Sequence, residues 1–200
     1  MKSIHLNFAL AAALAALSFA RPAAAVPIVT VAPANSIVAV GDTFVLDINV
    51  STPDVDDAVF AFQFDLLFDP ALLQAVGATE GSFLNGGGAT FFVEGVADNT
   101  AGQFLNTANT LLTAINGVAG DGTLASVTFH ATGAGVSAIT IANLILLDST
   151  LLSMGPRATG GSVTIVSAAP VPEPASAALM GIGLIALIGL WRIRGVGVSG

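Results

Sequence analysis

Three groups of residues in this chain have types and spacing that could do chemistry. The first is a cluster of acids, Asp54, Asp56 and Asp57, in one short segment after Pro53, with Asp47 a little upstream. Clustered loop carboxylates offer the hard oxygen ligands that calcium takes. No EF-hand spacing is present, and the same pattern also reads as a solvated acidic turn. The second is His130, the one residue around which a nucleophilic triad could be assembled. The chain has no cysteine and no Gly-x-Ser-x-Gly, and its only lysine is Lys2. Alternation of Val127 and Phe129 with Ser126, Thr128 and His130 puts the imidazole on a wet strand face, away from any buried site. The third group is Val171-Pro172-Glu173-Pro174. Two prolines bracket one acid, so the segment is extended and cannot enter a helix. An extended, exposed backbone is what a protease or transpeptidase needs to grip. A glycosidase would need two carboxylates across a cleft. Asp42, Asp98 and Asp121, however, sit in turns, where aspartate is favoured for local backbone bonding.

The elements that would position these groups fall into three parts. At the N-terminus Lys2 precedes an apolar run from Leu6 to Ala20, then Arg21, Pro22 and the small residues Ala23 to Ala25. This is the layout of a secretory signal peptide, residues 1–25, with cleavage expected after Ala25. At the other end Ala175 to Trp191 is apolar and uncharged. At helical rise it spans about 26 Å, the lower limit for a transmembrane helix. Arg192 and Arg194 follow, and positive residues beside a span stay cytoplasmic. The expected topology is a single pass through the inner membrane, with the basic tail 192–200 inside and the rest outside. Residues 167–174, rich in Ala, Ser and Pro, read as a linker.

Between the ends, residues 26–166 form one domain's length of chain. This stretch holds twelve of the thirteen acids against a single basic residue, Arg157. Such a surface repels nucleic acid and anionic lipid and draws cations. A domain of this size does not need disulfides.

Its pattern is strand-like. Phe44, Leu46, Ile48 and Val50 alternate with Thr43, Val45, Asp47 and Asn49, and Phe60, Phe62, Phe64 and Leu66 alternate with Ala61, Gln63 and Asp65. Period two means one buried and one wet face. Ile139 and Ile141 begin a run that becomes continuously apolar over Leu144 to Leu147, as in a strand covered on both faces. Val163 and Ile165 close the set. Gly- and Asp-containing breaks separate the runs, at 85–88, 119–122 and 133–135 among others. Asp69 and Pro70 predict one short helical turn over 69–73. The fold class is all-β, a sandwich.

Two resemblances follow from these residues. Val171-Pro172-Glu173-Pro174, the apolar helix after it and the Arg192/Arg194 pair resemble the PEP-CTERM sorting signal. That resemblance implies processing by an exosortase-type enzyme and delivery to the cell surface or an exopolysaccharide matrix. The second rests on the order of Gly41-Asp42-Thr43-Phe44-Val45-Leu46, Phe68-Asp69-Pro70-Ala71-Leu72-Leu73, Gly122 to Phe129 and Gly135 to Ile139. This order is similar to a cohesin domain, which implies a jelly-roll β-sandwich of about nine strands, related in fold to carbohydrate-binding modules. It implies binding to a dockerin-like protein partner or to polysaccharide. No position matches the dockerin-contact residues by motif, so the binding residues stay open.

The domain's aromatics are all Phe, whereas sugar platforms favour Trp and Tyr. Phe91 and Phe92 are adjacent, so in a strand one of them must point outward. Three functions remain in view: a non-enzymatic surface or matrix protein, a calcium-stabilised adhesion module, and a small secreted hydrolase built on His130 or a carboxylate pair. The first requires no cofactor.

Overall fold

The computed structural model describes residues 26–52, 58–113, 116–167, 179–180 and 183–185. The signal segment 1–25, the acidic cluster Asp54, Asp56 and Asp57, the motif Val171 to Pro174 and the tail with Arg192 and Arg194 lie outside the described residues. The chain divides into two compact units, Met1–Ser167 and Ala168–Gly200. In the second, 179–180 and 183–185 are helical. Leu179, Met180, Leu184 and Ile185 there are exposed. Among the described residues no helix is long and apolar enough to cross a membrane.

The first unit is a β-sandwich. One sheet has the order β11-β1-β3-β9-β5, built from β11 (Arg157–Thr159), β1 (Ile28–Ala32), β3 (Thr43–Ser51), β9 (Asp121–Ala131) and β5 (Leu73–Glu80). The other runs β2-β12-β10-β4-β8-β6, from β2 (Asn35–Ala39), β12 (Gly161–Val166), β10 (Gly135–Leu147), β4 (Ala61–Leu67), β8 (Gln103–Leu111) and β6 (Thr90–Val93); β7 (Val96–Asp98) also pairs with β8. Among the described strands, β1–β11 and β2–β12 pair in parallel and the other pairs are antiparallel. The described residues thus hold twelve strands where the resemblance implies about nine. Two of them, β7 and β11, are three residues long, too short to carry a period-two signal.

The core sits where alternation predicts. Leu46, Ile48 and Val50 of β3, Phe62, Phe64 and Leu66 of β4, and Val127 and Phe129 of β9 are buried between the sheets. Phe129 stacks on Phe44 at 6.0 Å and meets the edge of Phe68 at 5.3 Å. Each fully buried side chain of this kind stabilises the fold by about 1.5–3 kcal/mol. The outer face of the five-stranded sheet is polar and laced across β3 and β9. Ser126 Oγ donates to Asp47 Oδ1 at 2.6 Å, and Thr123 Oγ1 donates to Asn49 Oδ1 at 2.8 Å. The exposed edge of β5 is covered by side chains. Asn99 accepts from the Ala75 N–H and donates to its carbonyl, and Glu94 accepts from the Ala78 N–H at 3.2 Å. Pairing these groups removes a template for edge-to-edge association.

One local expectation is met and two features differ. The segment 69–73 makes a single helical turn, closed by the Leu73 N–H donating to the Asp69 carbonyl at 2.9 Å and capped by the Asp69 carboxylate, which accepts the Ala71 N–H at 2.9 Å. A helix the sequence does not announce is α1 (Ser82–Asn85), a single turn that buries Phe83 and Leu84. Its start has no side-chain cap, because Gly81 precedes it, so the capping signal is missing from the sequence. The run Leu144 to Leu147 is not covered on both faces. Leu146 is fully buried, but Ile145 is 40% exposed. Among the described residues no layer covers that stretch from outside; the run reads as continuously apolar because its outward positions are apolar too.

Candidate docking face

The outward side chains of β10, β4, β8 and β6 form two parallel cross-strand rows. One row is Leu147, Ala61, Thr110 and Phe91; the next is Ile145, Gln63, Ala108 and Val93. Large apolar side chains stand at both ends of each row, on β10 and β6. Small or short side chains, Ala61, Ala108 and Thr110, occupy the two strands between, joined only by Gln63. The result is a trough of about 250 Å³. Three inter-strand spacings separate its walls, about 14 Å. That is the distance between strand axes; the gap left between the wall side chains is narrower and takes one apolar stripe of an α-helix rather than its full 10–12 Å diameter.

The trough contains no ionisable side chain. On a domain with twelve acids and one arginine, a charge-free apolar strip is the part of the surface that water solvates least well. Phe91 is 61% exposed, whereas Phe92 packs against the core. The adjacent pair is thereby resolved: Phe91 is the outward member.

Beneath the trough, on the inner side, Asn109 of β8 is only 3% exposed. Its Nδ2 donates to Glu80 Oε1 at 2.8 Å, and the Thr90 hydroxyl donates to the same oxygen. The Asn109 Oδ1 has no hydrogen-bond partner among the described residues. This polar cluster ties β5 of one sheet to β6 and β8 of the other and holds the trough's floor and one wall in register.

A second depression, about 390 Å³, lies on the opposite sheet and is lined by Thr30, Asn49, Ser51, Asp121 and Thr123 among others. It is larger but more polar than the trough, and polar groups in it bond to each other, as Thr123 does to Asn49, so covering it removes less apolar surface from water.

The residues singled out in the sequence are placed as follows. His130 is on the outer face of the five-stranded sheet, 3.4 Å from the Thr43 hydroxyl. Its cross-strand neighbours are Thr43 and Gln74, and neither is a carboxylate. Asp47 is held by Ser126, and Asp121 pairs across with Ser51 at the far end of β9. Among the described residues no three His, Cys, Asp or Glu side chains are grouped to hold a metal ion. Sequence reasoning missed the trough itself. The signal that marks it is an asparagine inside each of two flanking strands, Asn143 in β10 and Asn106 in β8; both have positive φ, 48° and 61°. Asparagine tolerates this left-handed conformation, which belongs to bulges.

The family model described as cohesin domain matches residues 28–165. A second, described as PEP-CTERM protein-sorting motif, matches residues 170–194. No curated protein matches the chain. Solved structures do. A non-cellulosomal cohesin from the hyperthermophilic archaeon Archaeoglobus fulgidus is 19% identical, with a TM-score of 0.55 over 72% of this chain and 93% of that one. The sixth cohesin of scaffoldin B from Acetivibrio cellulolyticus, solved in complex with a dockerin, is 16% identical, with a TM-score of 0.56 over 71% of this chain and 100% of that one. The seventh type I cohesin of a Pseudobacteroides cellulosolvens scaffoldin is 18% identical, with a TM-score of 0.55 over 74% and 96%. At these identities the likeness establishes the fold alone.

Proposed function

This chain belongs to the cohesin domain family, and from that premise we propose that it is an exported, non-enzymatic binding module that seats an amphipathic helix of a protein partner in the trough on β10, β4, β8 and β6. The observation that carries the reading is the pair of outward rows, apolar at both walls and small at the floor, a shallow trough into which the apolar stripe of a helix fits. A helix with apolar residues at i, i+3, i+4 and i+7 would lay one stripe along the trough and leave its polar face in water. Phe91 and Ile145 on opposite walls would supply most of the contact energy, because large apolar anchors dominate such interfaces. A dockerin-like module is the partner class that the related complexes support. The absence of Trp and Tyr before Trp191 weighs against polysaccharide in this trough.

The second part of the proposal concerns the C-terminal segment. The sorting motif would be read by an exosortase-type enzyme through Pro172, Glu173 and Pro174. Residues 175–191 would hold the chain in the inner membrane until processing delivers it to the cell surface or matrix. Intact mass of wild type and Glu173→Ala from the host tests this part: loss of the C-terminal segment in wild type and its retention in the variant is the expected result. Retention in both would overturn it.

The test of the docking face is site-specific photo-crosslinking in the host. A photoreactive phenylalanine at position 91 is expected to capture one protein species, and the same probe at exposed Val45 on the opposite sheet none. The captured protein, once purified, should lose affinity for Phe91→Ala and Ile145→Asp. Capture from both faces, capture of polysaccharide only, or unchanged affinity of the variants would overturn the docking reading.

A further inference from the structure

We infer that Asp65, a buried carboxylate on β4 two residues beyond Gln63 and outside the trough's lining, is the positioning residue that locks two β-bulges and thereby decides which side chains form the trough's wall and floor. Asp65 lies on β4, on the same outward face as Ala61 and Gln63, yet it is only 5% exposed. One of its oxygens accepts the backbone N–H of Asn106 at 2.7 Å; the other accepts the Asn143 Nδ2 at 2.6 Å. Those two asparagines belong to the two strands that flank β4, and both are left-handed. A single carboxylate therefore bonds to both neighbouring strands where their ladders slip.

The slips have a definite consequence. Ala142 pairs with Asp65 and Ile145 with Gln63, so β10 carries one extra residue against β4. Thr107 pairs with Phe64 and Phe104 with Leu66, so β8 carries one extra residue at the same level. An extra residue exchanges the inward and outward sets beyond it. In β10, Ser137, Ile139 and Ile141 are buried before the bulge and Leu146 after it. In β8, Phe104 is buried before the bulge, and Thr107, Asn109 and Leu111 after it. Without the β10 slip, Ile145 and Leu147 would face the core and Leu146 would face out. Without the β8 slip, Ala108 and Thr110 would leave the floor and Asn109 would replace them. The trough exists because both strands are slipped together, and Asp65 is the group that touches both slips. Its bearing on function rests on the docking reading; the side-chain facing it sets does not.

The test needs no partner. The chain has no cysteine, so a single thiol reports one position cleanly. Full-length Ile145→Cys and Leu146→Cys variants are labelled with a soluble thiol reagent, each alone and each combined with Asp65→Ala. In the Asp65 background the thiol of I145C should react fast and that of L146C slowly. A hydrogen bond to a charged group is large enough to shift a local equilibrium by about tenfold, so Asp65→Ala should lower the ratio of the two rates by about that factor. Asp65→Asn should preserve the ratio, because its amide accepts from Asn106 and can donate to a flipped Asn143. If Asp65→Ala does not fold, Asn143→Gly keeps the left-handed backbone at no steric cost and removes only the side-chain donor; it should lower the ratio in the same way. An unchanged ratio in the folded variants would overturn the lock, as would a parallel rise in both rates, which is the mark of general loosening. Failure of the crosslinking at position 91 would sink the docking reading and leave this one standing.

Discussion

Phe91 and Phe92 are the same residue type, adjacent in β6, and the structure assigns them opposite tasks. Truncating each to alanine separates those tasks. Phe92 packs against the core, and removing a core phenylalanine costs about 3–5 kcal/mol; its partial burial puts Phe92→Ala near the lower end, about 3 kcal/mol. Phe91 is 61% exposed at an edge strand, so Phe91→Ala loses only cross-strand contact, about 1 kcal/mol or less. With a urea slope of about 2 kcal/mol per molar, the midpoint for Phe92→Ala should fall about 1 M further than that for Phe91→Ala. Far-UV circular dichroism reads this transition. Binding should reverse the ranking. A phenylalanine presents about 200 Å² in all, so the free part of Phe91 is about 120 Å²; at 25 cal/mol per Å² its burial under a partner is worth up to about 3 kcal/mol, or about 100-fold in Kd. Phe92→Ala, where folded, should bind nearly as wild type. Equal loss of stability in the two variants, or near-normal affinity in Phe91→Ala, would refute the assignment of Phe91 as an outward anchor.

Gly81→Ala should be among the more damaging single-atom-group additions in the domain. A Cβ there would lie 2.5 Å from the Thr123 carbonyl carbon and 2.7 Å from that of Leu124, while the Gly81 N–H bonds to the Leu124 carbonyl at 3.0 Å. Moving β9 backbone away costs about 1–3 kcal/mol and the hydrogen bond about 1 kcal/mol more, so melting should drop by several degrees in a thermal scan. Asp148 is partly exposed, and its carboxylate is held below the usual aspartate range by the Thr150 hydroxyl first and by the Leu152 and Thr150 N–H groups. Because its folded pKa is depressed, its contribution is present above the unfolded value near 4 and is lost as pH falls through the lower folded value. An NMR titration should therefore show its midpoint below that of a free aspartate, and Thr150→Ala should move it up; no movement would remove the hydroxyl as the leading cause.

How much of this was legible in the sequence differs from residue to residue. The strands with one buried and one solvated face announce themselves: Leu46, Ile48 and Val50, or Val127 and Phe129, need only alternation, because the side-chain period of a strand is two. The short edge strands do not, since three residues hold no period. Asp65 looks like an ordinary wet-face residue in the sequence and is buried, its carboxylate taken up by the Asn106 backbone N–H and the Asn143 side chain of the two neighbouring strands. Leu144 to Leu147 looked doubly covered, because a sequence shows that a position is apolar and not what lies against it.

Export, the sorting segment, the charge balance and the class of fold are properties of local composition and order, and the chain by itself determined them as expectations. A charge count, an apolar run or an alternation depends on neighbours in sequence. The trough depends on neighbours in space. It needs β10, β4, β8 and β6 side by side, though their residues are separated by tens of positions, and it needs two one-residue slips that reverse the facing of everything beyond them. Strand order and register are decided by pairing between distant segments. Only the tertiary structure could therefore say that Phe91, Val93, Ile145 and Leu147 stand around one floor of small residues.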